Sequence, residues 1–387
     1  MHVAIVGTYP PTRCGIATFT ADVETALRLH DAQVTIVPVF VGIDPGLGIR
    51  RDDRASYALS ARRVNALGCD VVLIQHEFGI FGGTAGNYLL DFTEALTTPF
   101  AVTLHTVLAD FTRAQADVIE RLSADATTVM VFTETARRLL LSQGLVADAQ
   151  IQIVPHGAPA ELYEPVDIAQ ARIQLGLPAI GPVMSTFGLL SAGKGIELAV
   201  SAVGALVGEY PSIRYVIAGQ THPEVVRHEG ERYREGLEAR VHELGIQDNV
   251  VFLDRFLGIG EIGALLAVTD VFCTPYRGED QIVSGALTFA LAAGCPVVST
   301  PYRYAKDVLG GGAGTIVGFD DSVAFADGVR QMLADGPTRT TAMRAAAEVS
   351  ASLAWATVGE TLFSLLSSAA DVPATRPRRV QAWDAVG

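Results

Sequence analysis

FGLLSAGKGIELAVSAV, residues 187–203, runs from the end of an apolar stretch through a glycine-rich loop into a helix-patterned segment. Gly193 and Gly195 flank Lys194 on both sides. An amine so placed reaches a diphosphate while the glycines let backbone approach it. The plainer reading is a solvated lysine in a flexible loop. Strand, glycine loop and helix in that order form the unit from which doubly wound α/β folds are built.

Outward from this segment the same alternation recurs. Strand-like runs stand at 2–7, 33–40, 71–75, 99–105, 127–133 and 151–157 in the first half. In the second they stand at 183–188, 214–219, 249–254, 270–276, 296–301 and 314–318. These runs are continuously apolar, as befits strands of a parallel sheet covered on both faces. Amphipathic stretches such as 20–29, 133–144 and about 321–335 lie between or after them. The pattern predicts two α/β domains, with a Pro- and Ala-rich linker at about 158–182. We expect domains at 1–165 and 180–350, an apolar helix within 351–370, and a disordered tail at 371–387.

At 387 residues the chain exceeds what one core usually organises. Hydrophobic residues make up 49% and charged residues 18%, which excludes a disordered chain. Acidic residues number 42 against 28 basic, a net charge of −14, which argues against broad nucleic-acid binding. Cys14, Cys69, Cys273 and Cys295 are widely spaced and form no metal or disulfide pattern. No apolar run reaches the roughly 18 residues of a membrane span. MHVAIVGTYPP reads as a first strand and not as a signal peptide. The expectation is a reduced cytoplasmic protein, with at most weak peripheral membrane contact.

Two further strand-to-helix loops carry candidate chemistry. In GTYPPTRCGIATFTADV (7–23), Gly15, Ile16 and Ala17 offer amides at a helix start, where unpaired donors and the helix dipole favour an anion. The alternative is an ordinary loop that binds nothing. In PYRGEDQIVSGALTFALAAGCPVVST (275–300), Ser284, Gly285 and Ala286 begin a helix and offer further amides. Glu279, Asp280 and Gln281 precede it, either to accept from sugar or ribose hydroxyls or to cap the helix.

Taken together, GTYPPTRCGIATFT, TLHT, FGLLSAGKGIE and SGALTFALAAGCPVVSTPY resemble glycosyltransferase family 4 in order and spacing over nearly the whole chain. The resemblance implies the GT-B fold: two Rossmann-like domains facing across a cleft, with a C-terminal helix crossing back to the first. It implies a retaining transferase that moves a hexose, mannose first and glucose second, from a nucleoside-diphosphate sugar to a carbohydrate or glycoconjugate hydroxyl. It implies no metal and no cofactor beyond the nucleotide-sugar co-substrate. By position, Gly15 corresponds to the loop glycine beside the donor diphosphate and His105 to the histidine near the donor sugar. Lys194 corresponds to the phosphate-binding lysine, and Ser284, Gly285 and Ala286 to the amide-rich turn.

Three positions depart from the family. Leu189 stands where the arginine ahead of the lysine is usual, and the two glutamates of its Glu-x7-Glu motif fall at Gln281 and Phe289. Arg13, Arg277, Arg303 and Glu279 are the candidates for compensation. His76 and Glu77, at a strand end, are expected to face the acceptor. His156 lies near the domain boundary and His222 follows another strand, but the histidines are too scattered for a metal-site spacing. No Asp-x-Asp motif occurs, and the Gly-x-Gly-x-x-Gly at Gly258, Gly260 and Gly263 is separated from its strand by polar residues. With no Asp/Glu pair evident for a hydrolase-like double displacement, front-face substitution assisted by the departing phosphate fits better. Domain closure would exclude water from the donor. Two alternatives stay open: a non-catalytic nucleotide-sugar-binding protein, and an NAD-dependent oxidoreductase using the second-domain glycines.

Overall fold

The computed structural model describes residues 1–42 and 46–372. The chain divides into two units. The first is Met1–Pro155 together with the chain from Val358, and the second is His156–Thr357. Most of the tail expected at 371–387 lies outside the described residues.

In the first unit the strands are β1 (His2–Gly7), β2 (Gln33–Phe40), β3 (Ile49–Arg50), β4 (Val71–His76), β5 (Phe100–Leu104), β6 (Thr128–Val131) and β7 (Ile151–Ile153). They form one sheet in the order β3-β2-β1-β4-β5-β6-β7, with every pairing parallel. The two-residue β3 escaped sequence reading because it is too short to show a period. Val3 to Val6 and Val71 to Ile74 are all fully buried, so the continuous apolar runs reflect cover on both faces.

The second unit contains β8 (Val183–Phe187), β9 (Arg214–Ala218), β10 (Val250–Leu253), β11 (Val271–Thr274), β12 (Val297–Ser299) and β13 (Gly314–Ile316). Their order is β10-β9-β8-β11-β12-β13, again all parallel. Its core joins Ile196, Val203 and Leu206 of helix Ile196–Leu206 to Phe325 and Val329 of helix Ser322–Leu333, over Tyr215 and Ile217. Each such fully buried side chain contributes about 1.5–3 kcal/mol. The chain leaves β8 on one side and β11 on the other, so the order reverses between them. A crevice outside the carboxyl ends of those two strands is where such sheets receive ligands.

Two expectations about the joints are corrected. The linker expected at about 158–182 folds with the second unit, and the division falls at Pro155/His156 instead. The single apolar helix expected within 351–370 is broken: one helix ends at Leu353 and the next, Trp355–Ala370, begins after Ala354. Ala354 is extended (ψ 135°) because it pairs as a bridge with Ala158. The Ala158 amide donates to the Leu353 carbonyl (2.6 Å), and the Trp355 amide donates to the Ala158 carbonyl (3.0 Å). From Val358 the helix belongs to the first unit, burying Val358, Leu362, Leu366 and Ala369 at helical spacing. There Phe363 lies 5.9 Å from the His30 ring, and Gly359 packs against Ala26.

Candidate functional site

The second unit assembles its candidate site from the loops after β8 and β11. Gly188 (φ +128°) and Gly219 (φ +142°) let the ends of β8 and β9 close on each other; a side chain at Gly219 would overlap the Gly188 carbonyl. Beyond them the Leu190 amide donates to Gln220 (2.8 Å) and the His222 amide to Leu190 (2.9 Å). Residues 192–194 then form one 3-10 turn, and Gly195 (φ +57°) opens helix Ile196–Leu206. The Ile196 amide donates to the Tyr233 hydroxyl (3.0 Å), which donates in turn to Glu197 (2.8 Å). Burial and the neighbouring Glu197 carboxylate raise the Tyr233 pKa, keeping that hydroxyl protonated.

Lys194 does not extend into solvent. Its Nζ lies 4.0 Å above the centroid of the Tyr276 ring. Tyr276 is buried, stacks on Tyr302 at 4.8 Å, and sets its hydroxyl 3.3 Å from Ser284 Oγ. The next residue ties the loops together: the Arg277 amide donates to the Gly193 carbonyl (3.0 Å), and its guanidinium pairs with Glu197. A shallow cavity beside this loop is lined by Gly195, Glu197, Tyr276, Arg277, Thr300 and Asp320.

Helix Gly285–Ala292 begins where the sequence placed it. Ser284 is its N-cap and accepts from the Leu287 amide (3.3 Å). The Gly285 and Ala286 amides make no hydrogen bond among the described residues, as the first turn of a helix dictates. Buried His156 lies against this helix start: a side chain at Gly285 would come within 3.2 Å of its Nε2. Its Nδ1–H donates to the Gly157 carbonyl (2.7 Å), and burial lowers its pKa to about 4, so the ring is neutral.

The acidic run before the helix has another role than capping it. The Glu279 carboxylate accepts from Lys306 (2.9 Å), whose charge with that of Arg303 lowers its pKa. Asp280 pairs with Arg303 (3.2 Å). The backbone carbonyls of Glu279 and Gln281 accept from the amides of Arg303 and Tyr304, both at 3.0 Å. Gln281 donates from Nε2 to its own loop at Val283 (2.6 Å). Phe289 is buried between Phe187 (6.3 Å) and His156 (6.0 Å), a core residue where the family resemblance implies a carboxylate. Of the cations named for compensation, Arg277 adjoins the Lys194 loop, Arg303 braces Asp280, and Arg13 is exposed in the first unit.

In the first unit, Gly15 opens helix Gly15–Leu29, and Cys14 caps it by accepting from the Ala17 amide (3.3 Å). Ala17 is therefore not a free donor; Gly15 and Ile16 make no amide hydrogen bond among the described residues. His105 follows β5, nearly buried, with its Nε2 2.8 Å from Gln75 Oε1 and its ring edge-on to Phe19 at 4.8 Å. His76 is a correction. Its ring is fully buried between Phe78 (4.9 Å) and Phe81 (6.2 Å), and neither nitrogen has a partner among the described residues. Burial drives its pKa down to about 3, so it is a neutral core ring with no surface to offer an acceptor. Glu77 accepts from the Thr106 hydroxyl, and burial raises its pKa. His222 caps a helix by accepting from the Glu224 amide (3.2 Å).

Of the residues that bind this site together, Tyr276 and Glu197 were not singled out by sequence reasoning, and His156 was weighed there only among histidines too scattered for a metal site. Gly258 is an N-cap whose amide donates to Glu261 (2.9 Å), so the Gly-x-Gly-x-x-Gly run opens a helix and not a dinucleotide loop. Among the described residues no group of three or more His, Cys, Asp or Glu is placed to hold a metal ion. No described helix is long and apolar enough to cross a membrane.

Residues 181–335 match the family described as glycosyl transferases group 1. The chain is 30% identical over 227 residues to D-inositol 3-phosphate glycosyltransferase of Corynebacterium diphtheriae, covering 57% of this chain and 51% of that protein. It is 27% identical over 194 residues to the lipopolysaccharide core biosynthesis mannosyltransferase LpsB of Rhizobium meliloti, covering 49% and 52%. The chain thus spans about half the length of these curated relatives. Among solved structures it is similar to sucrose-phosphate synthase of Thermosynechococcus elongatus (TM-score 0.78, 17% identity, 95% of this chain and 98% of that one). It is likewise similar to Anabaena HepE in complex with UDP and glucose (TM-score 0.73, 18% identity, 95% and 100%). The fold is that of GT-B glycosyltransferases, two Rossmann-like parallel-sheet units.

Proposed function

We propose that this chain, with its GT-B fold and its group 1 glycosyltransferase segment at 181–335, is a retaining hexosyltransferase using a nucleoside-diphosphate sugar. The observation that carries the reading is Tyr276, beside the switch point of the second sheet, which has the Lys194 amine over its ring and its hydroxyl at Ser284, the cap of the helix that starts with Gly285 and Ala286. Breaking a glycosyl–phosphate bond leaves negative charge on the diphosphate. A lysine and two fixed amides stabilise it without reorganisation. In this reading Lys194, Ser284, Gly285 and Ala286 hold the diphosphate, with Gly15 as a further amide donor. Glu279 and Gln281 sit toward the sugar and ribose hydroxyls, and His105, its ring fixed by Gln75, acts at the donor sugar. No metal is needed, because these groups supply the charge. Mannose is the first expectation, since LpsB is a mannosyltransferase by description, and glucose the second, since HepE was crystallised with UDP and glucose. The acceptor is a carbohydrate or glycoconjugate hydroxyl.

The test is a thermal-shift screen of GDP, UDP, ADP and their sugars, because a ligand that binds only the folded chain raises its Tm. One nucleotide and its sugar should stand out, and Lys194→Ala should weaken that ligand about 10- to 150-fold, the range for a charge-assisted contact. A screen in which no nucleotide shifts Tm overturns the reading. His105→Ala should leave nucleotide affinity intact while transfer collapses. A second reading, a nucleotide-sugar-binding protein without transfer, draws on the apolar burial of Phe289 where a ribose acceptor is implied. It predicts tight nucleotide binding with no turnover on any acceptor.

A further inference from the structure

Lysine is a poor anion ligand when left to itself. Its four-carbon stem is flexible, and its amine is strongly hydrated. Lys194 stands in a turn between two glycines, which adds backbone freedom to that of the side chain. What restrains it is Tyr276: the amine rests 4.0 Å from the ring centroid, on the face where the aromatic quadrupole attracts a cation. The ring itself is held from two sides. Tyr302 stacks beneath it at 4.8 Å and 22°, and its hydroxyl meets Ser284, the cap of helix Gly285–Ala292. Tyr276 therefore touches both groups assigned to the diphosphate, the amine through its face and the helix start through its hydroxyl. Arg277, bonded through its amide to Gly193, keeps the two loops in register.

We infer that Tyr276 is a positioning residue, a platform that holds the Lys194 amine over the ring so that it meets the diphosphate already partly desolvated and oriented. This rests on the proposed nucleotide-sugar function and adds a residue to it. The platform acts through the ring face, so shape alone does not replace it, and it acts through Lys194, so it has no purpose once the amine is gone. Both consequences are measurable.

The experiment is a titration of the nucleoside diphosphate selected by the thermal-shift screen into the full chain and its variants. Tyr276→Phe keeps the face and should bind within about twofold of the parent. Tyr276→Leu should weaken binding by about 3- to 30-fold, the range of a cation–aromatic contact. In a Lys194→Ala background the same substitution should cost less than about twofold, because the coupled partner is absent. Since Tyr276 is buried and the leucine variant can fail to fold, a second series places mono-, di- and trifluorophenylalanine at 276. These preserve size while draining the ring face, and affinity should fall with each fluorine only where Lys194 is present. Equal losses in both backgrounds, or a flat fluorine series, overturn the platform and leave the proposed function standing. A Lys194→Ala chain that binds as well as the parent overturns the platform together with the role of Lys194. If the parent binds no nucleoside diphosphate at all, the proposed function falls and the platform falls with it.

Discussion

The first strand of each unit feeds a loop and then a helix, at the same place in the same topology, yet the two loops are finished differently. After β1 the chain runs through Pro10 and Pro11, and the thiol of Cys14 caps helix Gly15–Leu29. After β8 the loop is glycine-rich, helix Ile196–Leu206 has no side-chain cap, and its first amide is taken by a tyrosine from another helix. The first loop draws on residues near in sequence, Cys14 with Thr8 and Ala17 and Tyr9 with Glu24. The second is organised by Tyr233, Pro275, Tyr276 and Arg277, which lie 36 residues or more along the chain from the groups of that loop and helix start they meet. Topology decides where a helix start points. Local chemistry decides whether the loop stands alone or depends on the rest of its unit.

The largest expected difference lies between two glycines that open these helices. Gly195 has φ +57°, and a side chain there would overlap the Pro275 carbonyl, a backbone atom that cannot rotate away. Gly195→Ala should destabilise the second unit by about 3 kcal/mol and abolish nucleotide binding. A methyl group at Gly15 would meet nothing within 4 Å, so Gly15→Ala should be neutral or stabilising by up to about 1 kcal/mol. Denaturant titration of both variants decides it; similar losses would erase the contrast.

Acid sensitivity should distinguish the units next. His76 in the first unit and His156 in the second have folded pKa values lowered to about 3 and about 4, against 6.5 when unfolded. Below pH 6.5 the unfolded chain binds protons that the folded chain refuses, so stability falls as pH drops toward the folded values. At pH 5 the loss should reach about 2 kcal/mol for each histidine. His76→Leu should flatten the slope of the first unit between pH 6.5 and 5 and leave that of the second. An unchanged slope would mean that His76 is charged in the folded chain.

Smaller effects are expected at the caps. Ser284→Ala should cost about 1 kcal/mol, as loss of a hydroxyl cap does. Cys14→Ala should cost less, because a thiol is a weaker acceptor, and Cys14→Ser should stabilise by a few tenths of a kcal/mol. Thermal unfolding of the three variants gives the order, and a Cys14→Ala loss exceeding that of Ser284→Ala reverses it. Smallest is Glu279→Ala, which removes a half-exposed pair with Lys306 and should change stability by under about 1 kcal/mol, less still in high salt. If Glu279 also serves the ribose, that variant should weaken a ribonucleotide more than its 2′-deoxy form. Equal effects on both nucleotides leave it as the partner of Lys306 alone.

Much of this was legible along the chain. Runs such as VVLIQ and VMSTFG are apolar without alternation because both faces of a parallel sheet are covered, and that property is written into consecutive residues. The glycines around Lys194 and the Ser-Gly-Ala start of helix Gly285–Ala292 are equally local, since a turn and a cap are made by neighbours. The break at Ala354 was not legible. Residues 351–368 contain no proline and no turn signal at 354, and only the bridge to Ala158, nearly 200 residues earlier, withdraws Ala354 from the helix. His76 looked functional at a strand end, but its environment is set by Phe78 and Phe81 folding over it.

The order of apolar runs, glycine loops and caps thus determined that this protein is two parallel α/β units with a lysine loop at the start of the second, because these follow from interactions spanning a few residues. Tertiary structure alone decided that Lys194 lies on Tyr276, that Glu279 pairs with Lys306, and that Phe289 is core. Each of those meetings joins side chains from separate strand-to-helix loops, from a loop and the next helix, or from a helix face and the core. Such meetings are chosen by the sheet order and by which surfaces must leave water, and no spacing in the sequence encodes them.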